Sequence, residues 1–144
     1  MKKSIYTVAH DFRIEFYDVD SMQVAWHGNY VKYLELGRCA LLDEIGYGYA
    51  AMSESGYLWP IVDMKIKYIQ PLRFGQNVRV EASLLEYENR LRIGFEIYDK
   101  AGGELATTAV TTQMAVDART GESQFVAPKC FIDRVSALLE ENPS

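Results

Sequence analysis

The stretch NYVKYLELGRCALLDEIGYG, residues 29–48, decides the fold because it is a long segment with helical periodicity. Its apolar face is wide, so we expect a largely enclosed helix. Asn29 is the predicted N-cap, and Gly46 and Gly48 are predicted to end the helix. Gly37 predicts close approach of the helix backbone to a sheet. The apolar positions are Tyr30, Leu34, Gly37, Leu41 and Ile45, flanked by Tyr33, Leu36 and Ala40.

Outward from this helix, most of the chain alternates with period two, which is typical of half-buried strands. A loop at 47–60 and a Gly102-Gly103 hairpin turn interrupt the pattern. Residues 128–139 predict a short terminal helix with an apolar stripe of Phe131, Val135 and Leu138. One long helix would then cover one face of an antiparallel sheet, an α+β domain spanning residues 1–144. The predicted strands are Tyr6 to Phe16, Val62 to Tyr68, Val78 to Leu84, Leu91 to Ile97, and a last one with Ala106, Thr108, Val110, Thr112, Met114 and Val116 on one face.

Composition narrows the possible functions. The 144 residues carry a net charge of −5, which argues against general binding to nucleic-acid phosphates. No apolar run reaches the length of a signal peptide or a membrane span, so we expect a cytoplasmic protein without a membrane partner. The cysteines, Cys39 and Cys130, form no CxxC pair, and the histidines are His10 and His27 alone. These spacings predict no metal site.

Candidate chemistry concentrates in FYDVDSMQVAWHGNY, residues 16–30, where two acids, a histidine and four aromatic side chains precede the helix. Loops between rigid elements are where sites concentrate. Amides of His27 and Gly28, near the positive end of the helix, could hold an oxyanion. A carboxylate beside them, Asp20, would serve as nucleophile or base, made more reactive by partial desolvation. The simpler alternative is that Asp18 and Asp20 make turn hydrogen bonds and His27 caps the loop.

The same stretch resembles the 4-hydroxybenzoyl-CoA thioesterase family of the hotdog fold. The element order matches along residues 6–118, with about five strands wrapped around one central helix. One departure is Gln23, which stands where the family usually has a glycine that eases a tight turn. The matching motif positions are Asp18 and Asp20 for D-x-D, His27 for histidine or tyrosine, Tyr30 for tyrosine, and Glu35 and Arg38 for E-x-x-R.

The resemblance implies hydrolysis of an acyl-CoA to a carboxylate and CoA, with no cofactor apart from the CoA of the substrate. Asp20 would be the catalytic carboxylate, and the backbone N–H of His27 would polarise the thioester carbonyl. Tyr17 and Asp18 would support them. Glu35 has two interpretations: it resembles the helix acid that a distinct hotdog branch uses, or it is simply an i,i+3 partner of the neighbouring arginine.

For the substrate, the resemblance places the nucleotide end of CoA near the hairpin turn 87–92. Arg90 and Arg92 supply its positive charge, while Glu88 opposes them. This thin basic cluster keeps an acyl-carrier protein open as the alternative carrier of the acyl group. Lys65 and Lys67 either contribute to phosphate binding or belong to a solvated strand face. Trp59 is the main candidate to line the acyl pocket. Further candidates for this pocket are Tyr57, Met52 and Met64.

The sequence also bears on assembly and on two rival functions. Open strand edges invite pairing, and hotdog proteins of this kind join sheets edge to edge, so we expect a homodimer or homotetramer. A hotdog dehydratase of carrier-bound hydroxyacyl chains is one rival, although it would place its histidine against a helix acid. A non-catalytic acyl-binding protein is the other rival.

Overall fold

The computed structural model describes residues 4–143. The elements are β1 (Tyr6–Arg13), α1 (Tyr30–Ile45), α2 (Tyr49–Glu54), β2 (Tyr57–Leu58), β3 (Ile61–Tyr68), β4 (Asn77–Glu86), β5 (Leu91–Asp99), β6 (Leu105–Gln113), β7 (Val116–Asp117) and α3 (Lys129–Glu141). The main sheet has five antiparallel strands in the order β1-β4-β5-β6-β3, and β2 and β7 form a separate antiparallel pair. Within the described residues, this order leaves β1 and β3 at the edges of the sheet.

The helix α1 packs mainly on β1 and β4, and the close approach predicted at Gly37 is confirmed. A Cβ added there would lie 3.0 Å from Val80 Cγ2 and 3.4 Å from Ala82 Cβ. Leu34 and Leu41 are fully buried one turn to either side. A larger residue at position 37 would therefore push the helix off the sheet.

Alternate residues of β4 and β5 form the sheet side of the core, as their period of two predicts. At one end of the sheet, α3 adds the predicted stripe of Phe131, Val135 and Leu138, all buried. The Phe131 ring lies 4.9 Å from the ring of Trp59 and 5.1 Å from that of Tyr47. The terminal helix thus closes the core at this end.

Three local predictions are wrong. The first strand ends at Arg13, and Phe16–Asp18 forms a 3-10 turn instead of continuing the alternation. The segment 47–60 is not a plain loop, since it contains α2 and β2. Asn29 does not cap α1: it has helical backbone angles, and its side-chain Nδ2 donates to the Asp18 carbonyl at 2.6 Å. A 3-10 turn at His27–Asn29 leads into the helix instead.

The last predicted strand ends earlier than expected. The strand β6 stops at Gln113, so Met114 lies outside it and Val116 belongs to β7. On β6, Thr107, Ala109 and Thr111 pair with Ile97, Phe95 and Ile93, which are buried, so these odd-numbered residues face the core. Thr108 and Val110, which the sequence pattern places together on one face, therefore point to the outer face of the sheet.

No helix within residues 4–143 has the length and apolar character needed to cross a membrane.

Candidate active site

The segment 16–30 folds into a small hairpin-like loop. Val19 and Ala25 form an isolated antiparallel bridge. Between them, Asp20 N–H donates to Val24 O at 3.0 Å, and Gln23 N–H donates to Asp20 O at 2.9 Å. These bonds hold the backbone of Asp20 in a tight turn ahead of the 3-10 turn that opens α1.

Gln23 provides the positive φ that this turn requires. Its φ is +63°, and within residues 4–143 no other residue except glycine has a positive φ. Glycine adopts this left-handed conformation without steric cost, whereas a side chain makes it unfavourable. The departure from the family glycine therefore leaves the turn intact at an energetic cost.

A second segment, residues 69–76, ties this loop to the end of β3. Ala25 N–H donates to Leu72 O at 2.7 Å, and Val24 bridges Arg73. Leu72 is fully buried, so the pairing is anchored in the core. The candidate loop is thus held by backbone hydrogen bonds from a neighbouring strand connection, in addition to its own turn.

Asp18 is a buried anchor at the base of the loop, with 3% of its surface exposed. Its carboxylate accepts from Glu15 N–H at 2.9 Å and from Lys32 Nζ at 3.0 Å. Its carbonyl accepts from Trp26 N–H at 3.1 Å, besides the bond from the Asn29 side chain. Asp18 therefore joins both ends of the loop to α1, which suits a supporting position.

Burial raises the pKa of the Tyr33 phenol, and the negative charge of Asp18 raises the pKa further. Tyr33 is itself almost fully buried on α1. Its hydroxyl has no hydrogen-bond partner within residues 4–143. The phenol therefore stays protonated and neutral beside the buried carboxylate.

Asp20, in contrast, is exposed in the protomer, so the expected desolvation by the aromatic loop is not found. Its Oδ1 accepts from Met22 N–H at 2.8 Å, which is the turn hydrogen bond of the simpler interpretation. Its Oδ2 accepts no hydrogen bond from any residue in the described range 4–143. One carboxylate oxygen is thus held by the backbone and the other is accessible.

His27 begins the 3-10 turn that leads into α1. Within the described part of the chain, the backbone N–H groups of His27 and Gly28 donate to no protein acceptor. A Cβ added at Gly28 would lie 2.0 Å from Trp26 Cζ3, so any side chain at this position would clash with the indole. The two amides are available to an external acceptor at the positive end of the helix.

The His27 ring packs against a residue that the sequence patterns did not single out. Its centroid lies 4.7 Å from that of Tyr68 in a T-shaped arrangement, and 6.4 Å from that of Tyr30. Tyr68 is the last residue of β3 and is 45% exposed. The sequence feature that could have identified Tyr68 as a site residue is its position as an aromatic residue at the end of a strand, just before Pro71.

Glu35 and Arg38 form an ion pair on α1, as the second interpretation of Glu35 predicts. Arg38 is buried, however, and its Nη2 donates to Thr111 Oγ1 at 2.6 Å across to β6. Its guanidinium also lies 5.5 Å from the centre of the Phe95 ring. The pair therefore belongs to the packing between α1 and the sheet, and it is more than a surface i,i+3 contact.

The predicted basic residues of the substrate site differ in exposure and in partners. Arg90 is exposed in its turn and pairs with Glu86, whose Oε2 lies 3.2 Å from Arg90 Nε. Arg92 is half-buried on β5, and its buried Nε has no hydrogen-bond partner within residues 4–143. Lys65 and Lys67 are exposed on β3.

Trp59, predicted to line the acyl pocket, is 6% exposed and packs in the core. Its Nε1 donates to the Tyr47 hydroxyl at 3.1 Å. The acyl-binding role of Trp59 stays a prediction. Tyr17 is 77% exposed, with Lys32 Nζ 5.4 Å from its ring centre, and it leaves one face open beside the loop.

Two open depressions on the described surface, of about 350 and 540 Å³, do not include the candidate residues. The first lies beside Arg79 and Lys100, and the second lies beside Arg73 and Gln76 in the segment that ties the loop to β3. Neither is lined by Asp20 or His27. Asp20 and His27 are both exposed, so the loop 16–30 presents them on an open surface.

Comparisons with known proteins identify the fold and the family. The structure of a DHNA-CoA thioesterase from Staphylococcus aureus superposes with a TM-score of 0.80, at 24% identity, covering 96% of both chains. A hypothetical protein from the same organism, solved in complex with CoA, superposes with a TM-score of 0.82, at 16% identity, covering all of this chain and 89% of the other. The fold is the hotdog fold, as predicted.

The sequence matches the Thioesterase-like superfamily over residues 14–138, and the chain belongs to that family. It is also 32% identical, over 108 residues, to the Bacillus subtilis protein named "Putative acyl-CoA thioesterase YneP", a match that covers 74% of this chain and 78% of the relative. Family membership agrees with the predicted class of thioester hydrolase.

Proposed function

We propose that the protein is an acyl-CoA thioesterase that uses the loop 16–30. The observation that carries the proposal is that one loop holds both an accessible Asp20 carboxylate and the His27 and Gly28 amides, which donate to no acceptor within residues 4–143. Acyl transfer to water requires a nucleophile or base, which a carboxylate can supply, and hydrogen-bond donors for the oxyanion, which backbone amides at a helix start can supply. The relative named as an acyl-CoA thioesterase supports the same activity.

In the proposed reaction, the thioester carbonyl oxygen accepts a hydrogen bond from the His27 N–H. Asp20 either attacks the carbonyl carbon through Oδ2 or removes a proton from the attacking water. In both routes the carbon–sulfur bond breaks, and the thiolate of CoA leaves and takes a proton. In the first route the acyl group remains on Asp20 as a mixed anhydride, and water then attacks the acyl carbon, releases the carboxylic acid and regenerates the Asp20 carboxylate. In the second route water attacks the thioester directly and supplies the oxygen of the carboxylic acid. The amides stabilise the oxyanion that forms before the thiolate departs.

Asp20 is favoured over Glu35 as the reactive carboxylate because their partners differ. Glu35 is engaged by the buried guanidinium of Arg38, and attack by its carboxylate would leave that cation without its anion. Asp20 has no cationic partner within residues 4–143, and only one of its oxygens is engaged. Asp20 can therefore react without breaking an internal ion pair.

For the leaving group, CoA is the proposal and an acyl-carrier protein is the alternative. A structural neighbour was solved with CoA, and a second is named as a DHNA-CoA thioesterase. These names support CoA together with an aromatic acyl group, of which the 4-hydroxybenzoyl group is one member. Arg90 is the proposed phosphate contact, although it would have to exchange its bond with Glu86.

The proposal includes a cytoplasmic homodimer or homotetramer. The edge strand β3 exposes Ile61, Val62 and Tyr68 to different extents, between 37% and 54%. It also has no hydrogen-bonded neighbour on one side. A second copy pairing there would cover these side chains and narrow the open site. Light scattering at micromolar concentration should give at least a dimer, and a fully active monomer would contradict this part.

The deciding experiment is single-turnover hydrolysis of saturated and aromatic acyl-CoA, and of the same acyl groups on a carrier protein. Asp20→Asn should lower kcat by about a hundredfold or more, the range of general-base or nucleophilic roles. Asp18→Asn and Glu35→Gln should cost less in kcat, with folding checked by circular dichroism. An active Asp20→Asn variant beside a dead but folded Glu35→Gln variant would move the chemistry to the helix.

Turnover of a saturated acyl group separates this function from its rivals. A dehydratase would leave a saturated acyl thioester unchanged, since it has no hydroxyl to eliminate. A non-catalytic acyl-binding protein would hydrolyse none of the thioesters.

A further inference from the structure

The ring of Tyr68 lies between the rings of two residues at the start of α1, the exposed His27 and the buried Tyr30. It is T-shaped to His27, with ring centroids 4.7 Å apart and planes at 65°. It is also T-shaped to Tyr30, at 4.8 Å and 83°. Tyr30 is 2% exposed, so this side of the Tyr68 ring is backed by the core. Edge-to-face packing of this kind fixes ring orientation as well as burying area.

The backbone of Tyr68 is held as firmly as its ring. Its Cα partner across the sheet is Thr107 on β6. Directly after it, the N–H groups of Ile69 and Gln70 both donate to Ala106 O, at 2.9 and 3.0 Å. The ring therefore projects from a rigid strand end.

The same strand connection also holds the candidate loop. Four residues beyond Tyr68, Leu72 O accepts from Ala25 N–H at 2.7 Å, two residues before His27. One segment of chain thus contacts the turn twice, through the backbone at Ala25 and through a ring at His27. Between these two contacts lies Trp26, whose N–H is bonded to Asp18 O.

We propose that Tyr68 is a positioning residue for thioester hydrolysis, which holds the His27 ring so that the His27 backbone N–H stays aimed at the thioester carbonyl. This inference rests on the proposed function. His27 is exposed, and within residues 4–143 its ring has no hydrogen bond that would fix it. The rings of Tyr30 and Tyr68 therefore restrain the His27 side chain. Through that side chain they also restrain the His27 backbone at the start of the 3-10 turn.

The catalytic consequence follows from the strictness of oxyanion geometry. A misplacement of about 1 Å in a catalytic group can cost on the order of a hundredfold in rate. Loss of the Tyr68 ring should therefore lower kcat by roughly tenfold or more, while KM changes by less than about threefold, because the effect falls on an interaction made in the transition state. The phenol hydroxyl has no part in this role.

The test combines NMR of the histidine rings with steady-state kinetics on the full chain. The protein has two histidines, and His10 is exposed on β1 with no aromatic contact within residues 4–143, so it serves as an internal reference. In the wild type, the ring current of Tyr68 should displace the His27 ring-proton signals from those of His10. Tyr68→Leu should bring the two histidines closer together and lower kcat. Tyr68→Phe, which keeps the ring, should restore both readouts.

The matched control is Tyr98→Leu, which removes the same ring from the outer face of β5 and should change neither readout. Tyr68→Ile is the second variant if Leu is not tolerated, since β-branched residues suit strands. The role of Tyr68 is overturned if the His27 signals do not move, if they move while kcat stays, or if Tyr68→Phe loses as much as Tyr68→Leu. A wild type that hydrolyses no thioester would instead overturn the proposed function.

Discussion

Arg38 on α1 donates through Nη2 to the hydroxyl of Thr111 on β6, at 2.6 Å, although 73 residues separate them in the sequence. Both side chains are buried, and Arg38 is further paired with the half-exposed Glu35. A buried cation is tolerated when a nearby anion pairs with its charge. The motif residues Glu35 and Arg38 therefore contribute first to the attachment of α1 to the sheet.

The ion pair between Glu35 and Arg38 predicts that removing either partner lowers the free energy of unfolding by a different amount. Glu35→Gln leaves the buried Arg38 cation without an anion and should lower the free energy of unfolding by about 1–3 kcal/mol, below the full cost of a wholly buried pair because Glu35 is half-exposed. Arg38→Met should cost less, because water can solvate the Glu35 carboxylate. Urea unfolding followed by circular dichroism measures both. A Glu35→Gln variant as stable as the wild type would contradict the prediction.

Gln23 should be a position where glycine is tolerated or improves stability. Gln23→Gly removes the steric cost of a positive φ, about 1–2 kcal/mol, and adds unfolded-state entropy worth about 0.4–1 kcal/mol. The net expectation is a stabilisation of up to about 1 kcal/mol, seen as a higher urea midpoint at an unchanged slope. Gln70→Gly, at an exposed position without a positive φ, is the control and should destabilise. If Gln23→Gly and Gln70→Gly lose the same free energy of unfolding, the turn at Gln23 stores no strain.

Arg90 should affect substrate binding alone. If it contacts a CoA phosphate, Arg90→Ala raises KM for acyl-CoA and leaves kcat nearly unchanged, as loss of uniform binding requires. The expected loss is about 1–3 kcal/mol, the value of a charge-assisted hydrogen bond. Arg119→Ala, which removes an exposed arginine from another turn, is the control and should leave KM unchanged. An unchanged KM in Arg90→Ala would favour a carrier-protein substrate or another phosphate site.

Asp11 should contribute to the acid sensitivity of folding. Hydrogen bonds from Arg79 and Lys100 hold the pKa of its carboxyl well below the ordinary value. A depressed pKa in the folded state gives stability that is present above the unfolded pKa, about 3.9, and is lost as the pH falls below it. In Asp11→Asn, the decline of stability between about pH 4 and pH 2 should be shallower.

The measurement is urea unfolding at a series of pH values. Asp63→Asn, at an exposed aspartate that makes no ion pair within residues 4–143, is the control and should keep the wild-type decline. A wild-type decline in Asp11→Asn as well would assign the acid sensitivity to other groups.

Local pattern was a good guide where one element decides its own structure. The α1 helix runs over Tyr30–Ile45 and ends at Gly46, as its apolar spacing predicts. The buried stripe of α3 follows its spacing equally well. Pattern failed at the end of β6, which stops at Gln113 before the predicted Met114 and Val116. It also failed at Asn29, whose side-chain amide donates to a carbonyl eleven residues earlier instead of capping the helix.

By itself, then, the sequence determined an α+β domain, the extent of the long helix and the loop with its D-x-D motif, because periodicity and motif spacing are properties of neighbouring residues. The hotdog class came from the resemblance of that motif to a known family. Only the tertiary structure decided that Asp18 is a buried anchor while Asp20 is exposed, two residues apart in the same motif. It also decided that Arg38 meets Thr111 and that Tyr68 packs on His27. Such contacts join segments far apart in the chain, and they exist only once the sheet register and the packing of the helix on the sheet bring those segments together.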